Sequence, residues 1–561
     1  MKLRAALLSA LTAVLLGGVS HARAAGDEVR NWLVGIEAAG KLGALVPELE
    51  GLRLERFESF RGVAVRMTEA EANALRSAPG VRFVEPDYER HLHRARRARG
   101  PARGPLVQAE NTARAQATPW GIGHVRASNL WEHSRGATIR VAVVDTGIDY
   151  NHPDFRKVYP RRARGATRPA GIDFVNGDGD PMDDHGHGTH VAGTIAAVDN
   201  AFGVVGVAPE VELYAIKVLR PLANGSATGS VSSIIKAVDW AISNGIHVLN
   251  FSLGSDEPSQ AEREAFEEAW EAGILSIAST GNGYDPDEPI EGIGYPAAYP
   301  NVVAVGAIDE VEAIASFSQR GTQIALVAPG VRVLSTLPVG SSQVADALVD
   351  GSPLLEVEPV HGSPLGAVTS GFVDCGTGNI SEIPATVAGR IALIRRGGTS
   401  ATTPSGFTFN EKVRNAKSMG AAAVIIYNHD NSPLSWTLIR SNALGSPLAE
   451  DLSFEWPLTL AITKTDGEAL LQKPASVLAI SSTPYDYGTL QGTSMASPHV
   501  AGVAALIWSL APDATAAQVR NALVTGARDL GPEGWDSTYG FGIVDAVRSA
   551  EVLAPERLPA D

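Results

Sequence analysis

The fold is decided by the stretch IRVAVVDTG, residues 139–147. Its first part, Ile139–Val144, is a mostly apolar, β-branched run of the kind that a strand buried on both faces requires. Similar short runs recur at 212–218, 247–252, 274–278 and 302–305. Segments with helical spacing, Ser230–Ser243 and Ser259–Glu271, lie between them. This alternation predicts an α/β domain in which helices cover both faces of a mostly parallel sheet.

Polar side chains follow two of these predicted strands. Asp145 comes directly after the first run, and Asn282 follows the run 274–278 in the segment Ser279–Gly283. Functional sites in parallel sheets gather where the strands end at their carboxyl side. We therefore expect Asp145 and Asn282 to lie at the same edge of the sheet.

Two further motifs complete a set of reactive side chains. They are HGTHVAG, residues 187–193, and GTSMASPH, residues 492–499. A serine hydroxyl is a weak nucleophile that needs an imidazole to take its proton, and the imidazole needs a carboxylate to orient it. Asp145, His187 and Ser494 supply these three groups, so the motifs together indicate a nucleophilic hydrolase.

Each motif alone has another interpretation. Asp-Thr-Gly at a strand end is common turn chemistry, and Ser494 could simply cap the buried helix predicted over Met495–Leu510. A cluster of potential ligands could instead hold a metal: Asp183, Asp184, His185, His187 and His190. A metal-dependent hydrolase and a non-catalytic binding protein are thus alternatives. The co-occurrence of three extended motifs favours the nucleophilic hydrolase.

The segments around Asp145, His187 and Ser494 resemble the subtilisin-like serine peptidases almost residue for residue, and the three residues share the Asp, His, Ser order of that family. The resemblance implies a subtilisin-like three-layer fold and a serine endopeptidase that cleaves peptide bonds in proteins through an acyl-enzyme intermediate. It also implies that the side-chain amide of Asn282 and the backbone N–H of Ser494 hold the oxyanion.

The same resemblance implies where a substrate binds. The edge segment Ser252, Leu253 and Gly254 would pair with an extended peptide, and Ala227–Gly229 would flank the opposite side. Gly281 and Gly294 match two small walls of the pocket for the side chain before the cut bond. The acidic residues between Asp285 and Glu291 could favour basic side chains or form a solvated loop.

A calcium site is also implied, in a stabilising role. Asp and Asn side chains with loop carbonyls offer the hard oxygens that calcium prefers. The residues that match the family's site are Gln116, Asp154, Val198, Asn200, Phe202 and Val204. A plain turn containing Asp and Asn is the alternative.

The chain begins with features of export. Basic Lys2 and Arg4 precede the apolar run Ala5–Val19, and small residues follow, which predicts a signal peptide over 1–24 and a secreted enzyme. Residues 25–89 show a small α/β pattern with a capping box at Thr68–Glu71, and they resemble the inhibitor-type propeptide of subtilases. This resemblance implies that the propeptide inhibits its own catalytic domain until the zymogen cuts itself. A standalone folding module with no inhibitory role is the alternative.

An arginine-rich connection follows at 90–114, with Arg94, Arg96 and Arg97 among its basic residues. Its polar composition indicates an accessible processing linker. Ala115 is the predicted first residue of the mature enzyme.

The catalytic domain is predicted to be discontinuous, over 115–338 and 485–561. Residues 339–484 form an insertion whose strand, helix, strand pattern over 389–428 resembles a protease-associated (PA) domain, predicted to be rich in β-structure. An inert spacer, a guide for substrate, a lid and a protein-binding module are all open roles for it.

Composition narrows the partners. The formal net charge of −16 argues against nucleic acid as a general partner. No later stretch has the roughly 18 continuous apolar residues of a membrane span. Cys375 is the single cysteine, so the chain cannot form an internal disulfide. Protein or peptide substrates and the chain's own propeptide are the expected partners.

Overall fold

The computed structural model describes most of the chain. The described residues are 28–37, 54–78, 80–93, 116–155, 170–222, 225–285, 292–354, 356–399, 406–430, 434, 436–440 and 447–558. The predicted signal peptide, Ala115 and the linker residues from Arg94 onward lie outside them, as do 286–291 of the acidic loop.

The N-terminal unit is a small sheet with one helix. It contains β1 (Arg30–Ile36), β2 (Leu54–Phe57), β3 (Gly62–Met67), α1 (Glu69–Leu75) and β4 (Val81–Pro86). The four strands follow the order β2-β3-β1-β4 and pair antiparallel. The predicted capping box is confirmed: the Thr68 hydroxyl accepts from the Glu71 N–H, and the Glu71 carboxylate accepts from the Thr68 N–H.

The catalytic domain is built on a parallel sheet. Its strands and those beside it are β6 (Arg140–Asp145), β7 (Gly171–Asp173), β8 (Glu212–Lys217), β9 (Arg220–Pro221), β10 (Ala227–Ser230), β11 (Val248–Phe251), β12 (Leu275–Ser279), β13 (Val302–Ile308), β14 (Ile324–Pro329) and β15 (Val333–Thr336). The central sheet has seven strands in the order β14-β13-β12-β11-β6-β8-β7. Every neighbouring pair in it is parallel, which confirms the predicted α/β class.

Helices cover both faces of this sheet. Those before the insertion are α2 (Trp120–His124), α3 (His187–Ala196), α4 (Val231–Ser243) and α5 (Gln260–Glu271). On one face α3 packs with a long helix near the C-terminus, and on the other face α4 and α5 pack side by side. Alternate residues of β6 belong to the two cores, as the period of two in a strand dictates: Val141 and Val143 face one side, Ala142 and Val144 the other.

The insertion forms a domain of its own. Its elements are β16 (Ser342–Val349), β17 (Ser352–Pro353), β18 (Val357–Pro359), β19 (Gly366–Asp374), β20 (Ile391–Arg395), α6 (Phe409–Ser418), β21 (Ala423–Tyr427), α7 (Ala449–Leu452), β22 (Leu458–Ile462), α8 (Lys464–Leu471) and β23 (Val477–Tyr485). The eight strands form one mixed sheet, and the predicted strand, helix, strand pattern is found as β20, α6 and β21.

The chain then returns to the catalytic domain. It forms β24 (Tyr487–Leu490), α9 (Thr493–Leu510), α10 (Ala516–Thr525) and α11 (Ala546–Leu553). Short 3₁₀ turns complete the structure at Ala127–Leu130, Pro153–Phe155, Ile380–Glu382, Ala385–Val387 and Pro555–Arg557. β24 pairs antiparallel with β15, which holds together the two points where the insertion leaves and re-enters. Within the described residues no helix is long and apolar enough to cross a membrane.

The N-terminal unit docks on α4 and α5, both along the helices, as at Asp239 and Glu264, and at their N-terminal ends. The Glu85 carboxylate accepts from the backbone N–H groups of Gln260 and Ala261 at 2.9 and 3.0 Å, in the first turn of α5. The Asp87 carboxylate does the same for Ser232 in the first turn of α4, at 2.8 Å. Carboxylates are favoured there because the free N–H groups and the helix dipole are both positive.

The segment that follows runs into the catalytic domain as an added strand. β5 (Glu89–His91) pairs antiparallel with β10. The predicted start of the accessible linker at Arg90 is therefore wrong for residues 90–93. Arg90 is completely buried, because the backbone of this segment pairs with the catalytic domain and is not exposed to solvent.

Candidate active site

Asp145 and His187 lie next to each other at the carboxyl edge of the parallel sheet. Asp145 is the last residue of β6 and is fully buried, and His187 is the first residue of α3. Nδ1 of His187 lies 2.8 and 3.0 Å from the two carboxylate oxygens of Asp145. This contact places the proton on Nδ1 and leaves Nε2 free to act as a base.

A second carboxylate, which the sequence analysis assigned only to a possible metal cluster, holds this pair in place. Asp183 accepts five hydrogen bonds of 2.6 to 2.9 Å: from the Thr146 hydroxyl, from the N–H groups of His185 and Gly186, and from both the N–H and hydroxyl of Thr189. It thereby joins the loop after Asp145 to the first turn of α3, the helix that begins with His187.

The other members of the possible metal cluster point elsewhere. Asp184 pairs with Lys217 at 2.8 Å, Nε2 of His185 lies 3.1 Å from the Gly225 carbonyl, and Nε2 of His190 lies 3.0 Å from the Val333 carbonyl. In the part of the chain that the structure describes, no group of three or more His, Cys, Asp or Glu side chains is arranged to hold a metal.

Ser494 lies in the first turn of α9 and is almost fully buried. Its hydroxyl donates to the Ser252 carbonyl at 3.1 Å. The helix begins after Gly492, and a Cβ at that residue would lie 2.9 Å from Nδ2 of Asn282. A glycine is therefore needed for the serine turn and Asn282 to approach this closely.

Asn282 is oriented by the residue before the serine. Its Oδ1 accepts from both the N–H and the hydroxyl of Thr493 at 2.9 Å. Nδ2 consequently faces the cleft, where it donates to the carbonyl oxygen of His93 at 3.2 Å. An amide directed at a peptide carbonyl is the arrangement that stabilises an oxyanion.

The chain's own residues 89–93 occupy the cleft as an extended peptide. His91 and Gly254 exchange two backbone hydrogen bonds, of 3.1 and 2.9 Å, and the Leu92 N–H donates to the Ala227 carbonyl at 3.1 Å. Gly229 pairs with Arg90 in the register of β5 and β10. The structure thus brings the predicted segments Ser252–Gly254 and Ala227–Gly229 to opposite sides of one strand.

The side chain of His93 lies between two of the predicted glycines. A Cβ at Gly254 would lie 2.6 Å from Cε1 of His93, and a Cβ at Gly294 would lie 3.6 Å from the same atom. Gly281 differs, because the space beside its Cα is filled by the carboxamide of Gln319. Burial, together with the nearby His187 and His91, lowers the pKa of His93 from 6.5 to about 4.

A buried ion pair that the sequence pattern does not indicate lies beside this pocket. Arg90 pairs with Glu262 of α5, and both side chains are 0% exposed. The sequence Ser259-Gln260-Ala261-Glu262 has the S-x-x-E spacing of a capping box. In the structure only one of the two hydrogen bonds of that box forms, from the Glu262 N–H to the Ser259 hydroxyl. The Glu262 carboxylate accepts from Arg90 instead, and the Glu85 carboxylate accepts from the N–H of Gln260 at the start of the helix.

Most of the residues predicted to bind calcium converge on one loop. Nε2 of Gln116 donates to the carbonyls of Val198 and Val204 at 2.8 and 3.2 Å, and Nδ2 of Asn200 donates to Oδ1 of Asp154 at 2.9 Å. Phe202 contributes its N–H, which donates to Oδ1 of Asn200 at 2.8 Å.

Comparison with known proteins agrees with this fold and site. The model of the subtilase family matches residues 136–352 and 464–542, the PA domain model matches 358–470, and the peptidase inhibitor I9 model matches 48–93. These features define the class of subtilisin-like serine peptidases. The chain belongs to the subtilase family, with an inhibitor-type propeptide and an inserted PA domain.

Individual relatives support the same assignment. The chain is 40% identical over 318 residues to the alkaline protease of Alkalihalobacillus alcalophilus, covering 56% of this chain and 72% of that protein. It is 35% identical over 354 residues to subtilisin E of Bacillus subtilis, which covers 61% of this chain and 83% of that protein.

Solved structures agree as well. The psychrophilic subtilisin-like protease Apa1 of Pseudoalteromonas sp. AS-11 aligns with a TM-score of 0.51 at 29% identity, over 80% of this chain and 100% of its own. Fervidolysin of Fervidobacterium pennivorans aligns with a TM-score of 0.55 at 23% identity, over 95% of this chain and 62% of its own. At this identity the likeness supports the fold alone.

Proposed function

We propose that this chain is a secreted serine endopeptidase, made as a zymogen that cuts itself, in which Asp145, His187 and Ser494 form the catalytic triad. The observation that carries the proposal is the position of the His93 carbonyl at Nδ2 of Asn282, with the preceding residues paired along the cleft. A peptide carbonyl at this point is the electrophile that the serine would attack.

The proposed steps use Asn282, which contacts that carbonyl, together with Ser494, His187 and Asp145. The Ser494 hydroxyl exchanges its bond to Ser252 for one to Nε2 of His187, gives up its proton and adds to the carbonyl carbon. Asn282 and the Ser494 N–H receive the developing oxyanion, while Asp145 stabilises the imidazolium. His187 then protonates the leaving amine, and water hydrolyses the acyl-enzyme by the reverse sequence.

The I9 match and the docking of the N-terminal unit support an inhibitory propeptide. Its final strand blocks the cleft, and carboxylates at the starts of α4 and α5 hold it there. Because its last residues fill the positions that a substrate would occupy, the propeptide and a substrate would compete for the same backbone partners.

Substitution of the serine tests the mechanism. We expect the wild-type chain to shorten to a mature enzyme, to react with a fluorophosphonate and to cleave a protein substrate. Ser494→Ala should stay full length, fail to label and cleave nothing. Ser509→Ala, on the same helix with its hydroxyl bonded to the Ala137 carbonyl, is the matched control and should behave as wild type. Activity that survives Ser494→Ala but is lost with a chelator would contradict the triad and favour metal chemistry.

Calcium is proposed between Asp154 and the loop 198–204. The Asp154 carboxylate and the Val198 and Val204 carbonyls converge, with the amide groups of Gln116 and Asn200 between them. A half-turn of each amide would present its oxygen instead of its NH₂, so the donor set fits a hard cation. Bound calcium would stabilise this loop against unfolding.

Thermal unfolding of the Ser494→Ala chain tests the calcium site without self-digestion. Calcium at about 100 times its dissociation constant should add about 2.7 kcal/mol to the free energy of unfolding. Asp154→Asn should abolish this gain, whereas exposed Asp513→Asn should keep it. A melting temperature that is the same in calcium and in chelator would contradict the proposal.

A further inference from the structure

Arg90 and Glu262 form an ion pair of an unusual kind for this chain. Among the described residues it is the one arginine–carboxylate pair with both side chains at 0% exposure. Taking two charges out of water is costly, so such a pair persists only where its geometry is very good. Its two partners also belong to different parts of the molecule: Arg90 lies in the propeptide and Glu262 in the catalytic domain.

The geometry uses the whole guanidinium group. Nε and Nη2 of Arg90 donate to the two oxygens of Glu262 at 3.0 and 2.5 Å, and Nη1 donates to the Ser255 hydroxyl at 2.6 Å. The hydroxyl of Tyr299 lies 2.9 Å from Oε2 of Glu262. These partners, which all come from the catalytic domain, form a pocket shaped for a planar, charged group with several donors.

The position of Arg90 in the cleft identifies this pocket. His93 presents its carbonyl to Asn282, so it is the residue before the bond that would be cut. His91 exchanges backbone hydrogen bonds with Gly254, and Arg90 precedes it. Arg90 is therefore the fourth residue before the bond, and Glu262, Ser255 and Tyr299 line the fourth substrate subsite.

Release of the propeptide changes the state of Glu262. The carboxylate stays on α5, and removal of Arg90 leaves a recessed negative charge without its cation. Leaving one partner of a buried pair alone is strongly unfavourable, so the vacated pocket favours a ligand that restores the pair. Glu257 adds a further negative charge near the position of Arg90.

We propose that Glu262 makes the mature enzyme selective for arginine at the fourth residue before the cleaved bond. This inference rests on the proposed peptidase function. Lysine would fit this pocket less well, because an ammonium group cannot donate two parallel hydrogen bonds to the Glu262 carboxylate and a third to Ser255 at once. Aliphatic residues would bury the carboxylate unpaired. The propeptide would thus block the enzyme with the side chain that its substrates present.

The test compares four peptides with the mature wild-type enzyme. They share the sequence X-His-Leu-His-p-nitroanilide, where X is arginine, citrulline, lysine or leucine. Citrulline has nearly the shape of arginine without its charge. We expect kcat/KM for the arginine peptide to exceed that for citrulline by about 30-fold or more, the range for breaking a buried charged pair, with lysine in between.

Two variants distinguish a role of Glu262 in substrate selectivity from a role in docking of the propeptide alone. Glu262→Gln should reduce the arginine-to-citrulline ratio of kcat/KM to within about threefold. Glu264→Gln is the matched control, because Glu264 lies on the same helix and pairs with Arg82 of the propeptide at 2.7 Å, outside the cleft. This variant should keep the wild-type ratio.

The outcomes are distinguishable. Equal rates for arginine and citrulline in the wild type overturn the selectivity, even if Glu262→Gln fails to mature. A wild-type ratio that persists in Glu262→Gln assigns the pair to propeptide docking alone and also overturns it. Failure of the wild type to hydrolyse any of the four peptides or a denatured protein overturns the proposed peptidase function itself.

Discussion

The carbonyl oxygen of His93 lies 3.2 Å from Nδ2 of Asn282, although the two residues are 189 positions apart in the chain. One belongs to the end of the propeptide and the other follows a central strand of the catalytic sheet. In the proposed mechanism this contact would present one particular peptide bond of the propeptide to Ser494, so docking of the propeptide would select the first bond to be cut.

We expect the first cut to fall between His93 and Arg94. Residues 91 and 92 are held by backbone bonds to Gly254 and Ala227, so the register in the cleft is fixed. Intact mass and N-terminal sequencing during refolding should show Arg94 first, and a later trim could then produce the predicted Ala115. An N-terminus at Ala115 that appears without an Arg94 intermediate would contradict this order, and Ser494→Ala should show neither.

Removal of the Asn282 amide should slow catalysis and leave substrate binding almost unchanged. Asn282→Ala is expected to lower kcat by about 10²–10³-fold with little change in KM, because the amide acts mainly on the transition state. Thr493→Val, which removes one of the bonds that orient Asn282, should have a smaller effect in the same direction. Steady-state kinetics on one peptide substrate measures both, and an unchanged kcat in Asn282→Ala is the contrary result.

Asp183 should matter for both stability and catalysis. Asp183→Asn keeps the size of the side chain but presents an NH₂ group to N–H and O–H donors, so some of the five hydrogen bonds are lost. In the Ser494→Ala chain we expect a loss of about 3 kcal/mol in the free energy of unfolding. In the active chain kcat/KM should fall, since α3 carries His187.

Denaturant unfolding and steady-state kinetics measure these two effects. Asp513→Asn, an exposed Asp on the surface, is the control and should change neither quantity. If the Asp183→Asn chain unfolds at the same midpoint concentration of denaturant as the Ser494→Ala chain without this change, Asp183 does not hold the start of α3.

The buried His93 predicts how stability depends on pH. Its pKa falls from 6.5 to about 4 in the folded chain, chiefly through burial. The neutral His93 side chain therefore contributes fully to the free energy of unfolding above pH 6.5. This contribution is lost as the pH falls from 6.5 to about 4, by about 3 kcal/mol in total.

The measurement compares the Ser494→Ala chain with the same chain carrying His93→Leu between pH 7.5 and 4. The stability difference should be constant at the upper end and should shift in favour of the leucine chain below pH 6.5. Asp87, whose pKa is raised by burial, acts in the opposite direction but is common to both chains. Parallel pH curves would contradict the burial of His93 as a neutral side chain.

Local patterns in the sequence predicted much of this molecule. The apolar run that ends in Asp145 is β6, the helix predicted over Ser230–Ser243 is α4 from Val231, and the capping box at Thr68 is present. These features depend on residues a few positions apart, which is the range over which strand alternation, helix spacing and capping act. The resemblance to subtilases rested on equally local motifs.

The errors and omissions all concern distant contacts. The polar neighbours of Arg90 in the sequence predict an exposed basic linker, whereas in the structure Arg90 is buried against Glu262, 172 positions away. The sequence indicates Asp183 only as a possible metal ligand, because its hydrogen-bond partners meet it only when α3 packs beside the end of β6.

The sequence by itself therefore determined the class of fold and the candidate reactive groups, because these follow from short-range periodicity and motif chemistry. Only the tertiary structure decided which carbonyl of the propeptide meets Asn282 and which carboxylate pairs with Arg90. Both depend on how the propeptide sheet docks on α4 and α5, and that docking brings residues together whose separation along the chain contains no local signal.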